Sequence, residues 1–298
     1  MRYLDADAVA ALGPAAAVRA VTDALRGGLD PAADPPRLPV GLAHGQFLLM
    51  PSETAAAAGV KVATVAPDNP ARGLPRIQAA YLLFDRETLA LRAVLDGTAL
   101  TTLRTPAVSV AAVLPALPDR PLRVAVVGAG PQATGHVAAL AAVRPLQAAD
   151  HLVRDPSRTP LDAIALGSPQ AAEVLQSADV VVCATSARSP VFDSALLRDD
   201  AVVVAVGSHE PDARELDAPL LGRATVVVED VTTALREAGD VVLAIAEGAL
   251  TAGDLVPVRD VVTGAVTAPT DRPLVFKSVG MSWQDLVVAT AVLERSGG

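Results

Sequence analysis

Val124–His136 reads VAVVGAGPQATGH. Val124, Ala125, Val126 and Val127 are apolar and mostly β-branched, the composition of a buried strand. Gly128-Ala129-Gly130 reads as a tight turn, and Pro131 suits the first helical turn, where no N–H is needed. Gly128 allows the turn. Gly130 lets backbone N–H groups approach an anion, which the helix N-terminus also favours. With Ala133 as the third small position, the pattern is GxGxxA between a strand and a helix, the setting of a dinucleotide fingerprint. The alternative is an ordinary βα turn.

Working outward from this stretch, strands alternate with helices from Leu122 onward. Strands are predicted at 122–127, 150–154, 179–184, 201–206 and 224–228, and helices at 131–143, 170–176 and 231–238. That alternation predicts a doubly wound parallel sheet with helices on both faces. A short strand, LVFKSVG, follows Pro273 and leads into a last helix, Trp283–Glu294. Before the Gly-rich turn the pattern differs. A helix is predicted over 4–28, a Pro-rich loop over 29–39, and strands at 45–51, 59–65, 77–85 and 90–95. A helix over 100–117 follows, with Thr105-Pro106 as its N-cap and first residue. Pro115, Pro118 and Pro121 place a boundary between an α+β domain, 1–118, and the dinucleotide domain, 119–280. The final helix, 281–298, is expected to return to the first domain.

The 298 residues carry a net charge of −9, which disfavours a nucleic-acid partner. Hydrophobic residues make up 51% but aromatics only 2%, so the core must be Ala, Val and Leu. One cysteine, Cys183, excludes an internal disulfide framework and a Cys-rich metal site; no metal is expected. Val124–Val143 lacks charge, but its glycines and proline make a poor membrane span. Asp5 and Asp7 interrupt any apolar leader. A soluble cytoplasmic protein is the expectation.

Several residues are of the types that carry chemistry. In the first domain these are Arg37, Lys61 and Arg104. Lys61 lies within GVKVATV, where a buried ammonium needs a partner. Cations converging on one pocket bind a carboxylate; the alternative places Lys61 on an outer strand face. After the second strand of the dinucleotide domain no carboxylate occupies 151–153. Arg154 and Arg158 bracket the turn, which favours a 2′-phosphate and hence NADP(H) over NAD(H). The alternatives are that Asp155 serves the ribose or that both arginines are solvated. Gly207–Asp217, GSHEPDARELD, follows a strand, and His209 there is of the residue type that exchanges protons near neutral pH; the alternative is a capped helix start with solvated charges. Lys277 and Ser278 either meet a cofactor or cap the next helix.

Taken together, LLMP (48–51), GVK (59–61), LRTPAVS (103–109), VVGAGPQA (126–133), ATS (184–186), VGSHEPDARELD (206–217), EAGDV (237–241) and FKSVGMSWQDL (276–286) resemble the ornithine cyclodeaminase/μ-crystallin family along nearly the whole chain. The resemblance implies a homodimer whose first domain pairs sheets across the two-fold and whose second is a Rossmann domain. It implies that Arg37, Lys61 and Arg104 bind a substrate carboxylate. It puts Thr105, Gly128, Gly130 and Gln132 at the cofactor phosphates, and Thr185, Ser186, Lys277 and Ser278 near the rest of the cofactor. Two positions depart from the cyclodeaminases. Leu48 stands where they carry a glutamate, and His209 where they carry an aspartate. Those acids serve ornithine's amines, so the expectation moves to the ketimine reductase branch. That means NAD(P)H-dependent reduction of an imine beside a carboxylate, with Δ1-pyrroline-2-carboxylate giving L-proline as the leading substrate. Lys61 is the expected catalytic residue. His209 is a substrate-side candidate. Amino-acid or N-substituted amino-acid dehydrogenation, and non-catalytic binding of cofactor and ligand, are the alternatives.

Overall fold

In the computed structural model, which describes residues 1–297, alternating burial on one sheet and near-total burial on another separate two units. The first unit comprises Met1–Val108 and the segment from Met281. It opens with β1 (Arg2–Leu4), α1 (Ala6–Ala10) and α2 (Pro14–Arg26). The expected helix over 4–28 is therefore interrupted. Gly13 has φ +77° and Pro14 starts a new helix, so the turn cannot continue through them. Asp5 caps α1 by accepting the Ala8 N–H at 2.9 Å.

Strands β2 (Leu38–Leu42), β3 (Gly45–Glu53), β4 (Ala58–Val65), β5 (Ile77–Phe84) and β6 (Leu91–Asp96) follow. The sheet order is β1-β6-β5-β4-β3-β2, antiparallel except for the β1/β6 pair. Strand β2 begins inside the segment expected to be loop, because Leu38, Val40 and Leu42 alternate and pair with β3. The last helix (Ser282–Gly297), α10, lies against β3, β4 and β5.

Helix α3 spans Gly97–Val113, with Pro106 inside it. The expected start at Thr105-Pro106 is thus corrected. The helix begins at Gly97, nine residues before Pro106, where the Asp96 carboxylate accepts the Ala99 N–H at 2.8 Å. Pro106 costs one backbone hydrogen bond. Burial of every residue from Arg104 to Val113 offsets it. The division between units falls after Val108 rather than near Pro118. From Ser109 the helix is tied to the second unit, since the Ser109 hydroxyl meets His136 Nε2 at 2.9 Å.

The second unit, Ser109–Gly280, runs β7 (Leu122–Val127), α4 (Pro131–Ala141), β8 (Leu146–Val153), β9 (Ala163–Ala165), α5 (Pro169–Ser177) and β10 (Val180–Cys183). It continues through β11 (Val202–Ala205), α6 (Ala218–Arg223), β12 (Thr225–Val228), α7 (Val231–Glu237) and α8 (Gly239–Ala246). It closes with β13 (Leu255–Pro257), α9 (Val258–Thr263) and β14 (Leu274–Lys277). The eight strands are all parallel, in the order β13-β12-β14-β11-β10-β7-β8-β9. Strands β10 and β11, VVVC and VVVA, are buried throughout, as strands covered on both faces must be. The strand order reverses between β7 and β10, and doubly wound sheets open their ligand crevice at such a point. This is a Rossmann-type unit.

Candidate functional site

The first unit builds a cationic clamp. Opposite residues of paired strands share a face, so the row Met50–Lys61–Tyr81–Leu95 projects to one side. That side faces α10, and Lys61 is 4% exposed. Lys61 Nζ donates to Asp285 Oδ2 at 2.7 Å. Asp285, in the first turn of α10, also lies 3.4 Å from Arg104 Nε, and Arg104 Nη1 donates to Gln284 Oε1. One buried carboxylate therefore holds two buried cations, and the helix supplies the amide that orients the guanidinium. Burial drives the Lys61 ammonium down to about 8, opposed by Asp285 and reinforced by the positive fields of Arg104 and Arg37. Arg37, half-buried ahead of β2, thus acts electrostatically on the same site. Lys61, Arg104 and Arg37 outnumber the carboxylates of Asp285 and Asp34, so the clamp keeps net positive charge for an anionic ligand.

Two neighbours escaped the sequence reading. Asp34 accepts the Trp283 N–H at 2.8 Å at the start of α10, and burial pushes it up to about 6. Tyr81, fully buried beside Lys61 in the register, leans over Gly59, where a side-chain carbon would sit 2.2 Å from its hydroxyl oxygen. Leu48 is on the Lys61 face two residues before Met50, opposite Ala63. No strand residue of that face around Lys61 is acidic.

The second unit builds a nucleotide pocket. Gly128 follows β7 with φ +128°, and a side-chain carbon there would lie 2.7 Å from the Ala184 carbonyl. Gly130 is the N-cap of α4 and Pro131 its first residue. Gly128, Ala129, Arg154, Thr185 and Ser186 line a cavity of about 390 Å³ at the C-terminal ends of β7, β8 and β10. Arg154 is exposed there. The Asp155 carboxylate is taken by the N–H and hydroxyl of Ser157, at 3.1 and 2.6 Å. Arg158 is exposed at the end of that turn. Glycine at the close approach, small residues at the turn and an open helix N-terminus fit a dinucleotide.

Thr105 is buried in α3, one position after Arg104, and Gln132 is half-buried in the first turn of α4. His209 is exposed in the loop after β11. Lys277 is 1% exposed, and its Nζ is 2.8 Å from Asp240 Oδ2 and 2.7 Å from the Ser208 carbonyl. Ser278 donates to Glu229 Oε1 at 2.7 Å. Neither Lys277 nor Ser278 lines the nucleotide cavity. Their side chains instead hold the loop after β11, the start of α8 and the end of β12. Cys183 is buried, and burial pushes its thiol well up, so it is inert at neutral pH. Among the described residues no group of three His, Cys, Asp or Glu side chains is placed to hold a metal ion.

The family model described as "Ornithine cyclodeaminase/mu-crystallin family" matches residues 13–298. The chain belongs to the ornithine cyclodeaminase/mu-crystallin family. Within it, the chain is 35% identical over 284 residues to Delta(1)-pyrroline-2-carboxylate reductase 2 of Burkholderia ambifaria, covering 89% of this chain and 86% of that protein. Among solved structures it is similar to the Thermococcus litoralis Delta(1)-pyrroline-2-carboxylate reductase in complex with NADH and L-proline. The TM-score is 0.87 at 26% identity, over 99% and 97% of the two chains. It is likewise similar to an archaeal alanine dehydrogenase dimer with bound NAD, with a TM-score of 0.87 and 27% identity over 99% and 96%.

Proposed function

We propose that this chain is an NAD(P)H-dependent reductase of an imine adjacent to a carboxylate, with Δ1-pyrroline-2-carboxylate as the substrate and L-proline as the product. The observation that carries the reading is the buried clamp in which Lys61 of β4 and Arg104 of α3 meet at Asp285, beside strand residues of which none on the Lys61 face is acidic. Arg104, oriented by Gln284, and Arg37 bind the carboxylate. The Lys61 ammonium is the group placed to give a proton, directly or through a water, to the imine nitrogen as hydride reaches the imine carbon, leaving a neutral lysine that solvent reprotonates. When bound, the nicotinamide supplies hydride. The chain's residues supply orientation and electrostatics. Leu48 offers no charge for a second amine, so L-ornithine is a poor fit. The relatives reducing Delta(1)-pyrroline-2-carboxylate support the same assignment.

The experiment is NADPH oxidation with Δ1-pyrroline-2-carboxylate, with L-ornithine plus NAD as the comparison. Turnover of the imine and none of ornithine is the expected result. Ornithine turnover would mean that another group replaces the acid missing at Leu48. Likeness to the archaeal alanine dehydrogenase favours one second reading, reduction of a 2-oxo acid with ammonia on the same clamp. Product analysis with pyruvate and ammonia separates it.

The cofactor preference proposed is NADP(H). Arg154 lines the cavity while the Asp155 carboxylate is turned to Ser157, so a 2′-phosphate would meet a cation there. Arg154→Ala is expected to weaken NADPH by about tenfold and leave NADH nearly unchanged. Titration calorimetry with the two nucleotides checks this. Equal losses for both would assign Arg154 to the shared part of the cofactor.

The assembly proposed is a homodimer through the sheet face opposite Lys61. Leu38, Val40, Leu42 and Phe47 are exposed on it, an apolar patch that a second copy would cover. Light scattering giving the mass of a single chain would exclude it.

A further inference from the structure

Glu215 belongs to the second unit, is 0% exposed and was not among the expected site residues. Its Oε1 accepts from the N–H and the hydroxyl of Thr185, at 2.8 and 2.7 Å. Its Oε2 accepts the Gly207 N–H at 2.7 Å. Thr185 follows β10 and lines the nucleotide cavity. Gly207 follows β11 and opens the loop to Ser208 and His209. One carboxylate therefore spans the ends of two neighbouring strands.

The span is tight and supported from behind. A side-chain carbon on Gly207 would lie 2.0 Å from the Thr185 carbonyl and 2.5 Å from Glu215 Oε1. Asp240 Oδ1 accepts the N–H groups of Glu215 and Leu216 at 2.7 and 2.8 Å, which fixes where the carboxylate points. Lys277 pairs with the other Asp240 oxygen and holds the Ser208 carbonyl. On the surface, Arg188 forks onto Glu210 and Asp212 at 2.6 and 2.5 Å. The two loops are thus joined both in the interior and at the rim.

We propose that Glu215 is a positioning residue that makes the Thr185–Arg188 and Gly207–Asp212 loops one body, so that a nucleotide against Thr185 and Ser186 orders the His209 loop. The inference rests on the nucleotide reading above. Coupling of this kind needs a contiguous physical link, and in the interior that link is a single carboxylate with three donors. A glutamine at 215 keeps one acceptor oxygen but turns an NH2 toward either Gly207 or Thr185, setting donor against donor. Whichever way it lies, one loop loses its interior bond and is held to the other only by the exposed Arg188 fork, a weak tie in solvent.

Amide hydrogen exchange, with and without saturating ADP, tests this. ADP lacks the nicotinamide end, so protection far from Thr185 cannot come from that group. In the unaltered chain ADP is expected to protect residues 207–212 as well as 128–134. Protection confined to 128–134 and 185–188 would overturn the proposal without any variant. In Glu215→Gln, ADP should still protect 128–134 and lose the effect at 207–212, with NADPH affinity falling about tenfold. Arg188→Ala, a surface change, should leave the coupling in place because the interior link remains. Retained coupling in Glu215→Gln would overturn the assignment. Failure of the unaltered chain to bind either ADP or NADPH by calorimetry would overturn the nucleotide reading and the proposal with it.

Discussion

Replacing Lys61 with methionine is expected to lower kcat/KM for the cyclic imine by about 10²–10⁴-fold while NADPH binding is preserved. Methionine fills much of the lysine stem, and Asp285 keeps Arg104 at 3.4 Å as a counter-charge, so the first unit should still fold. Circular dichroism and nucleotide calorimetry verify that before kinetics are read. Turnover near that of the unaltered chain would remove the lysine from the mechanism. A pH profile adds an independent signature. Burial lowers the Lys61 ammonium from 10.5 to about 8, so its charge is present below that pH and lost above it. In the unaltered chain kcat/KM should therefore fall about tenfold per pH unit above roughly pH 8. Lys61→Met should lack that alkaline limb. A bound carboxylate restores positive character to the lysine, so kcat should hold to higher pH than kcat/KM.

Asp285→Ala is the second large effect, on stability. Asp285 is fully buried and meets two buried cations. Removing one partner of such a pair leaves uncompensated charge in the interior and costs about 3–5 kcal/mol. Chemical denaturation at pH 7 should show a lower midpoint with an unchanged slope. The sign of the accompanying titration is fixed. Asp285 raises the Lys61 value against burial, so its loss lets the lysine deprotonate at lower pH. The penalty should shrink as pH rises, because a neutral amine no longer needs the partner. A double variant, Lys61→Met with Asp285→Asn, should recover part of the loss. A midpoint unchanged in Asp285→Ala would mean that water compensates both cations.

Much of this molecule was readable from residue order because local and tertiary preferences agree in it. The Val124–His136 stretch specifies strand, turn and helix by composition alone, and the structure follows it at β7 and α4. The all-buried strands VVVC and VVVA announce a parallel sheet for the same reason. The misreadings have physical causes. Gly13-Pro14 splits a continuous helical pattern, and Pro106 is carried inside a helix by burial around it. Of the site, cations in apolar surroundings stood out, since a lysine inside GVKVATV demands an explanation. Their counter-charge did not. Asp285 lies 224 residues from Lys61 in sequence, and only the return of α10 to the first unit brings them together. A carboxylate beside a glutamine in the first turn of an apolar helix was the available signal. Glu215 and Asp240 were hidden similarly, as acids in a loop and a helix whose work is internal.

Trp283 is the sole tryptophan of the chain, and it is 1% exposed in the turn that carries Gln284 and Asp285. The molecule therefore contains its own optical reporter for the clamp. Intrinsic emission from this indole arises in the first unit and from no other part of the protein. An imine carboxylate or L-proline that shifts the charges held by Arg104 and Asp285 should alter that emission with no cofactor present, so occupancy of the clamp becomes visible in a cuvette before any hydride has moved.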